Sequence, residues 1–141
     1  MRVFLDTNVL IDYLAHRQQF YQNAAYTISI CDDKGFQMLV SALSFATTSY
    51  ILSSHNKMAA ITIKKLFANF IKSCHVTPVD SQTIDESIAS EFSDFEDAMQ
   101  YYSALRGHAD VIITRNKNDY KAALIPVYEP QEFLDLMTSN T

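Results

Sequence analysis

The chain has 141 residues, 48% of them apolar, with eight Tyr, nine Phe and a formal net charge of −5. This composition supports a packed core of about one domain's size rather than a disordered chain, and its acidity argues against broad nucleic-acid binding driven by charge alone. Only Gly35 and Gly107 are present, so neither a P-loop nor a dinucleotide fingerprint can form, because both need several glycines to bring backbone against phosphate.

Strand-like apolar runs alternate with longer helical patterns. Val3–Leu5 reads as a first buried strand that ends on Asp6, the edge at which open α/β sheets hold their ligands. Val9–Ala15 and Phe20–Asp33 read as helices, the second stopped by Asp32-Asp33-Lys34-Gly35. Phe36–Val40 is a second strand, followed by helices over Leu43–Ser53 and Met58–Ser73, with Ser41 as a natural N-cap. His75–Val79 is a third strand and Gln82–Ser90 a helix. Asp94–Arg106 is another helix, with Gly107 expected as its left-handed cap. Val111–Thr114 is the strongest strand, Pro126–Tyr128 a brief last one, and Pro130–Met137 a helix opened by proline. The pattern predicts one domain over 1–141, a three-layer α/β/α sandwich around a mostly parallel sheet. No run is long enough to cross a membrane and no leader opens the chain, so a cytoplasmic location is expected. Cys31 and Cys74 lack metal spacing and read as buried, reduced thiols.

Four stations can carry chemistry. Asp6 either caps the next helix or serves a site, and Asn8 can do similar capping; Asp12, two turns on, reads as a solvated face. Asp94 and Asp97, three apart, share one helix face. They form either a capping pair or a hard-cation site, since Mg²⁺ takes oxygen ligands and keeps several waters. Thr114, Asn116 and Asp119 offer oxygens after the strongest strand, and Arg115 and Lys117 offer charge for phosphate; an ordinary polar loop is the plain alternative. Ser44, Thr47 and Thr48 read as helix hydroxyls bonded back to the preceding turn. Asp110 is expected at the opposite end of its strand and outside any site. The four histidines show no zinc spacing and no hydrolase triad. An aspartyl phosphatase would want an acid where Asn8 stands.

Together and in this order, these stations resemble the PIN domain, the nuclease fold of VapC-type toxins in bacterial toxin–antitoxin pairs. The resemblance is carried by Leu5-Asp6-Thr7-Asn8-Val9-Leu10-Ile11-Asp12, by Asp94-Phe95-Glu96-Asp97-Ala98 and by Ile113-Thr114-Arg115-Asn116-Lys117-Asn118-Asp119-Tyr120. It implies a metal-dependent endoribonuclease that uses Mg²⁺ or Mn²⁺, with RNA as substrate, an antitoxin as partner, and a homodimer formed through the Leu43–Ser53 or Met58–Ser73 helices. By position, Asp6 and Asp97 match catalytic metal-binding acids, and Asp94 the acid that often accompanies them. Asn116 falls where the fourth acid is usual and is expected as a catalytic residue beside Asp6 and Asp97; Thr47 falls where a glutamate is usual, and Asp119 matches an acid common after that motif. Asn8, Thr114, Arg115, Lys117 and Asp119 are the expected substrate-positioning residues. Two neutral residues at acidic positions weaken a second ion most, because two cations about 3.5–4 Å apart need bridging anions. The rival expectation is a non-catalytic PIN-fold module that binds RNA or protein through a degenerate acidic site.

Overall fold

Five short strands lie side by side in the computed structural model, which describes residues 1–139; Asn140 and Thr141 fall outside the described residues. They are β1 (Arg2–Leu5), β2 (Gln37–Ser41), β3 (Cys74–Thr77), β4 (Val111–Ile113) and β5 (Val127–Tyr128), in the order β3-β2-β1-β4-β5. Every pairing is parallel, so the sheet is fully parallel within these residues. In register, Phe4 faces Leu39 on one side and Ile112 on the other.

Strand side chains alternate between two helix layers, as the pleat requires. Val3, Leu5, Met38, Val40, Val111 and Ile113 point to one face, where they share a core with Val9, Leu10 and Leu14 of α1 (Thr7–Leu14) and Ala24 and Cys31 of α2 (Tyr21–Asp33). Phe70 of α4 (Ala60–Phe70) and Phe133 of α7 (Pro130–Thr138) complete that layer. Phe4, Leu39 and Ile112 point the other way, onto Tyr101 and Ala104 of α6 (Phe95–Arg106) and onto Tyr120. Helices α3 (Ala42–Ser54) and α5 (Ser81–Ile88) flank these layers: α3 packs on α1, and α5 packs on α6. The result is the three-layer sandwich expected, with both sheet faces covered, which is why the strands are almost wholly apolar.

Differences from the sequence reading have local causes. The helix expected over 58–73 closes at Phe70 and tightens into a 3₁₀ turn, Ile71–Ser73. Gly35 takes the left-handed conformation (φ +69°), but Gly107 does not; its φ is −82°, and His108 carries the positive φ of 58°. Gly107 answers to space instead. A Cβ there would lie 2.5 Å from Thr77 Cγ2 and 3.0 Å from Leu39 Cδ1. No helix among the described residues is long and apolar enough to cross a membrane.

The strand order fixes where a site can form. From β1 the chain winds outward to β2 and β3, then returns to β4 on the other side of β1 and continues to β5. The order reverses between β1 and β4, and the crevice beyond the carboxyl ends of those two strands is the ligand position of an open α/β sheet. Asp6 follows β1 and Thr114 follows β4, and the Asp6 amide donates to the Ile113 carbonyl at 2.9 Å.

Candidate active site

Asp6 is both helix cap and centre of a hydrogen-bond cluster. Its Oδ1 accepts from the Thr7 amide at 2.8 Å, the bond that caps α1. The same oxygen accepts from Gln100 Nε2 at 3.1 Å. Oδ2 accepts from Thr114 Oγ1 at 2.8 Å and, more weakly, from Asn8 Nδ2 at 3.4 Å. Capping and site readings therefore coexist in one side chain. A carboxylate has about four lone-pair sites, so an incoming ligand would replace the weakest of these bonds, the one from Asn8.

Thr114 and Asn8 tie the two strand ends together. Thr114 is buried, and besides donating to Asp6 its oxygen accepts from Asn8 Nδ2 at 3.2 Å and from the Asn116 amide at 3.1 Å. Asn8 Oδ1 in turn accepts from the Arg115 amide at 3.1 Å. Asn116 opens a 3₁₀ turn, Lys117–Tyr120, and its own side chain makes no capping bond.

Asp97 enters from α6. Asp94 caps that helix, its Oδ1 accepting from the Asp97 amide at 3.0 Å. Asp97 sits half-buried one turn in. Burial, and then the charges of Asp6, Asp94, Asp119 and Glu96, push its carboxyl up to about 7. Glu96, which the sequence reading passed over, is also raised, by burial first and then by Asp94 and Asp6, while a hydrogen bond with the Thr47 hydroxyl acts in the opposite direction. Asp97 thus feels four other acids, from the end of β1, from the start of its own helix and from the loop after β4, at the reversal of strand order. Helices α1, α3 and α6, capped by Asp6, Ser41 and Asp94, begin at this place, where their N-terminal dipoles favour negative charge.

Other expected residues lie elsewhere or do other work. Asp12 is not solvated: it is 1% exposed. Arg115 Nε reaches one of its oxygens at 2.6 Å and Nη2 the other at 3.3 Å, and Arg17 adds a contact at 3.5 Å. The Arg115 guanidinium also stacks over Phe20, 3.9 Å from the ring centroid. Arg115 is thus held against α1 in this structure. Lys117 pairs with Glu132 of α7 at 3.1 Å on the exposed surface. Asp110 lies at the far edge, as expected, where its Oδ2 accepts from the Arg2 amide at 2.7 Å. The hydroxyls of α3 depart from the expected pattern. Ser44 Oγ bonds the side chains of Thr7, Gln100 and the N-cap Ser41 rather than a backbone carbonyl of the preceding turn, and the buried Thr48 hydroxyl has no hydrogen-bond partner.

Two further residues join the cluster. Gln100 follows Asp97 by three positions on the buried stripe of α6 shared with Tyr101 and Ala104; a polar residue on that stripe is the sequence signal that marks it. Tyr120 is 2% exposed. Its hydroxyl lies close to Asp6 without reaching full hydrogen-bond geometry, and burial together with the charges of Asp6 and Asp97 holds its proton firmly.

The donor set suits a hard cation in kind, being made of carboxylate, amide and hydroxyl oxygens. In number it is thin: among the described residues, no three His, Cys, Asp or Glu side chains are grouped to hold a metal ion. Mg²⁺ sites in general are often held by only one or two carboxylates, with water completing the shell.

The arrangement has relatives. The PIN domain family matches residues 2–118. The chain belongs to the PIN domain family. Ribonuclease VapC1 of Aquifex aeolicus (strain VF5) is 26% identical to this PIN protein over 139 residues, 95% of this chain and 94% of that one. Among solved structures, a toxin–antitoxin complex from Klebsiella pneumoniae superposes with a TM-score of 0.65 at 17% identity, covering 91% of this chain and 97% of the other. VapBC2 from Rickettsia felis, bound to a DNA fragment from its promoter, gives 0.60 at 15% identity, covering 92% and 98%. At such identities the structural likeness establishes the PIN fold, and the relation to VapC-type proteins is one of family.

Proposed function

We propose that this PIN protein is a metal-dependent endoribonuclease, the toxin of a bacterial toxin–antitoxin pair, working in the cytoplasm with one Mg²⁺ or Mn²⁺ at Asp6 and Asp97. The observation that carries this reading is the pressure on Asp97: its carboxyl is raised to about 7 by burial and by facing acids, Asp6 foremost. Carboxylates held together against their own repulsion are the arrangement a cation relieves. A divalent cation supplies charge stabilisation at the scissile phosphate and acidifies its water. The chain's own residues would divide the remaining work. Asp6 and Asp97 hold the ion, and Asp94 adds an oxygen from the cap. Thr114 and Asn8 fix the Asp6 carboxylate. Asn116 and Asp119 line the loop that RNA would meet, and Lys117 is the exposed cation nearest to it in sequence. The relatives that are toxin–antitoxin complexes support an antitoxin partner. A homodimer through α3 or α4 is part of the same proposal.

A second reading, a non-catalytic PIN-fold module that binds RNA or protein, has the better support from preformed geometry. No three-ligand group is present among the described residues, and Thr47 and Asn116 are neutral. The two readings part in one assay, cleavage of total RNA with Mn²⁺ by wild type and by Asp97→Asn. Cleavage by wild type that falls about 100-fold or more in the variant supports the enzyme, on the scale of losing a charged group that stabilises the transition state. RNA binding without cleavage in wild type selects the module.

A further inference from the structure

We propose that Gln100 is a positioning residue of the acid site: its amide sets the Asp6 carboxylate against Asp97 and couples it to the first turn of α3. The inference rests on the cation reading above. Gln100 is 1% exposed. Its Nε2 lies 3.1 Å from Asp6 Oδ1, 2.8 Å from Thr7 Oγ1 and 2.8 Å from Ser44 Oγ. Its Oε1 accepts from Ser41 Oγ. One side chain on α6 thereby reaches the end of β1, the start of α1, the end of β2 and the start of α3.

The hydroxyls around it have other partners. Thr7 Oγ1 and Ser44 Oγ lie 2.7 Å apart, and Ser41 Oγ and Ser44 Oγ 3.2 Å apart. Among the described residues, Asp6 Oδ1 accepts otherwise from the Thr7 amide alone, whereas Oδ2 has two side-chain donors. The two N–H groups of the Gln100 amide are shared among three acceptors, of which Asp6 Oδ1 is the longest contact, and through that shared bond Oδ1 gains a second donor beside the Thr7 amide. A buried amide is suited to this task, because it donates to the carboxylate while accepting from Ser41, and it adds no charge beside Asp6. Asp97 and Gln100 are three residues apart on α6, so one helix supplies the second acid and orients the first. The neutral α3 end, where Thr47 stands in place of an acid, is joined to Asp6 through this amide.

Groups that orient a metal ligand typically shift metal affinity about 10–100-fold when removed. The test is Mn²⁺ affinity by calorimetry for wild type, Gln100→Met, which keeps length and loses the donor, and Gln100→Asn, which keeps an amide but shortens its reach. Ser103→Ala is the control. Ser103 is equally buried on α6 and bonds Thr77 Oγ1 at 2.7 Å and the Pro78 carbonyl, away from Asp6. Circular dichroism and thermal melts establish that each variant is folded. The expected result is an affinity about 10-fold weaker in both Gln100 variants and unchanged in Ser103→Ala. Wild-type affinity in both Gln100 variants, or an equal loss in Ser103→Ala, overturns the positioning role and leaves the cation reading intact. A wild-type protein that takes up no Mn²⁺ overturns both.

Discussion

Asp97 is where charge, burial and proposed function meet. Its carboxyl stands near 7 because the folded chain buries it and surrounds it with acids. Between the ordinary carboxylate range and about pH 7 the native state therefore holds a proton that the unfolded chain releases. The stability this group contributes is present at low pH and is lost as pH rises through that window. A bound cation would expel the same proton. Mn²⁺ affinity is thus expected to fall as pH drops below about 7, by up to 10-fold per pH unit when one proton is released for each ion taken up. Titrations at pH 6 and 8 in buffers of different ionisation heat measure both quantities, and an affinity independent of pH would show that Asp97 does not meet the ion. At this scale the sequence was informative for Asp6, Asp94 and Asp97, because acids after a strand and at a helix start have few placements. It was silent on Glu96 and Tyr120, and marked Gln100 only as a polar residue on a buried helix stripe. Their importance comes from which helix lies beside β1, and spacing along the chain does not carry that information.

At the scale of elements, Asp12 and Arg115 show how a local reading fails. Two turns along an amphipathic helix, Asp12 looks solvated. Yet α1 is buried nearly all round, and Asp12 is tolerated there because the loop after β4 returns Arg115 in bidentate contact, with Phe20 beneath its guanidinium. This ion pair clamps the end of β4 to α1, and with it the backbone that places Thr114. Arg115→Met is expected to destabilise the protein by about 2 kcal/mol, less than the roughly 3–5 kcal/mol of a fully buried pair, because Arg115 retains some exposure and Arg17 remains near Asp12. Urea unfolding measures the loss. No destabilisation would mean that the guanidinium is free in solution and available to phosphate. Most elements themselves were legible, since caps at Asp6, Ser41 and Asp94 and the stop at Gly35 mark them in the sequence. Gly107 was legible as punctuation and misread as to cause, because a close approach to Thr77 and Leu39 depends on tertiary packing.

For the whole molecule, the strand order decides most. Alternating strands and helices predict a parallel sheet, but whether the fourth strand joins beyond β3 or returns beside β1 cannot be read from alternation. The return beside β1 creates the crevice in which Asp6, Thr114 and Asp97 meet, and it turns separate sequence stations into one place. That place buries Asp97 and sets four other acids around it, yet the described residues preform no three-ligand group. On the proposed function, substrate completes the site. The most direct test is calorimetric titration of Mn²⁺ into wild-type protein, alone and with a short RNA strand carrying an uncleavable linkage. One weak site per chain is expected, in the millimolar range, tightened about 10-fold or more by the strand. No uptake of Mn²⁺ under either condition would contradict the proposed function and leave the fold as a binding module.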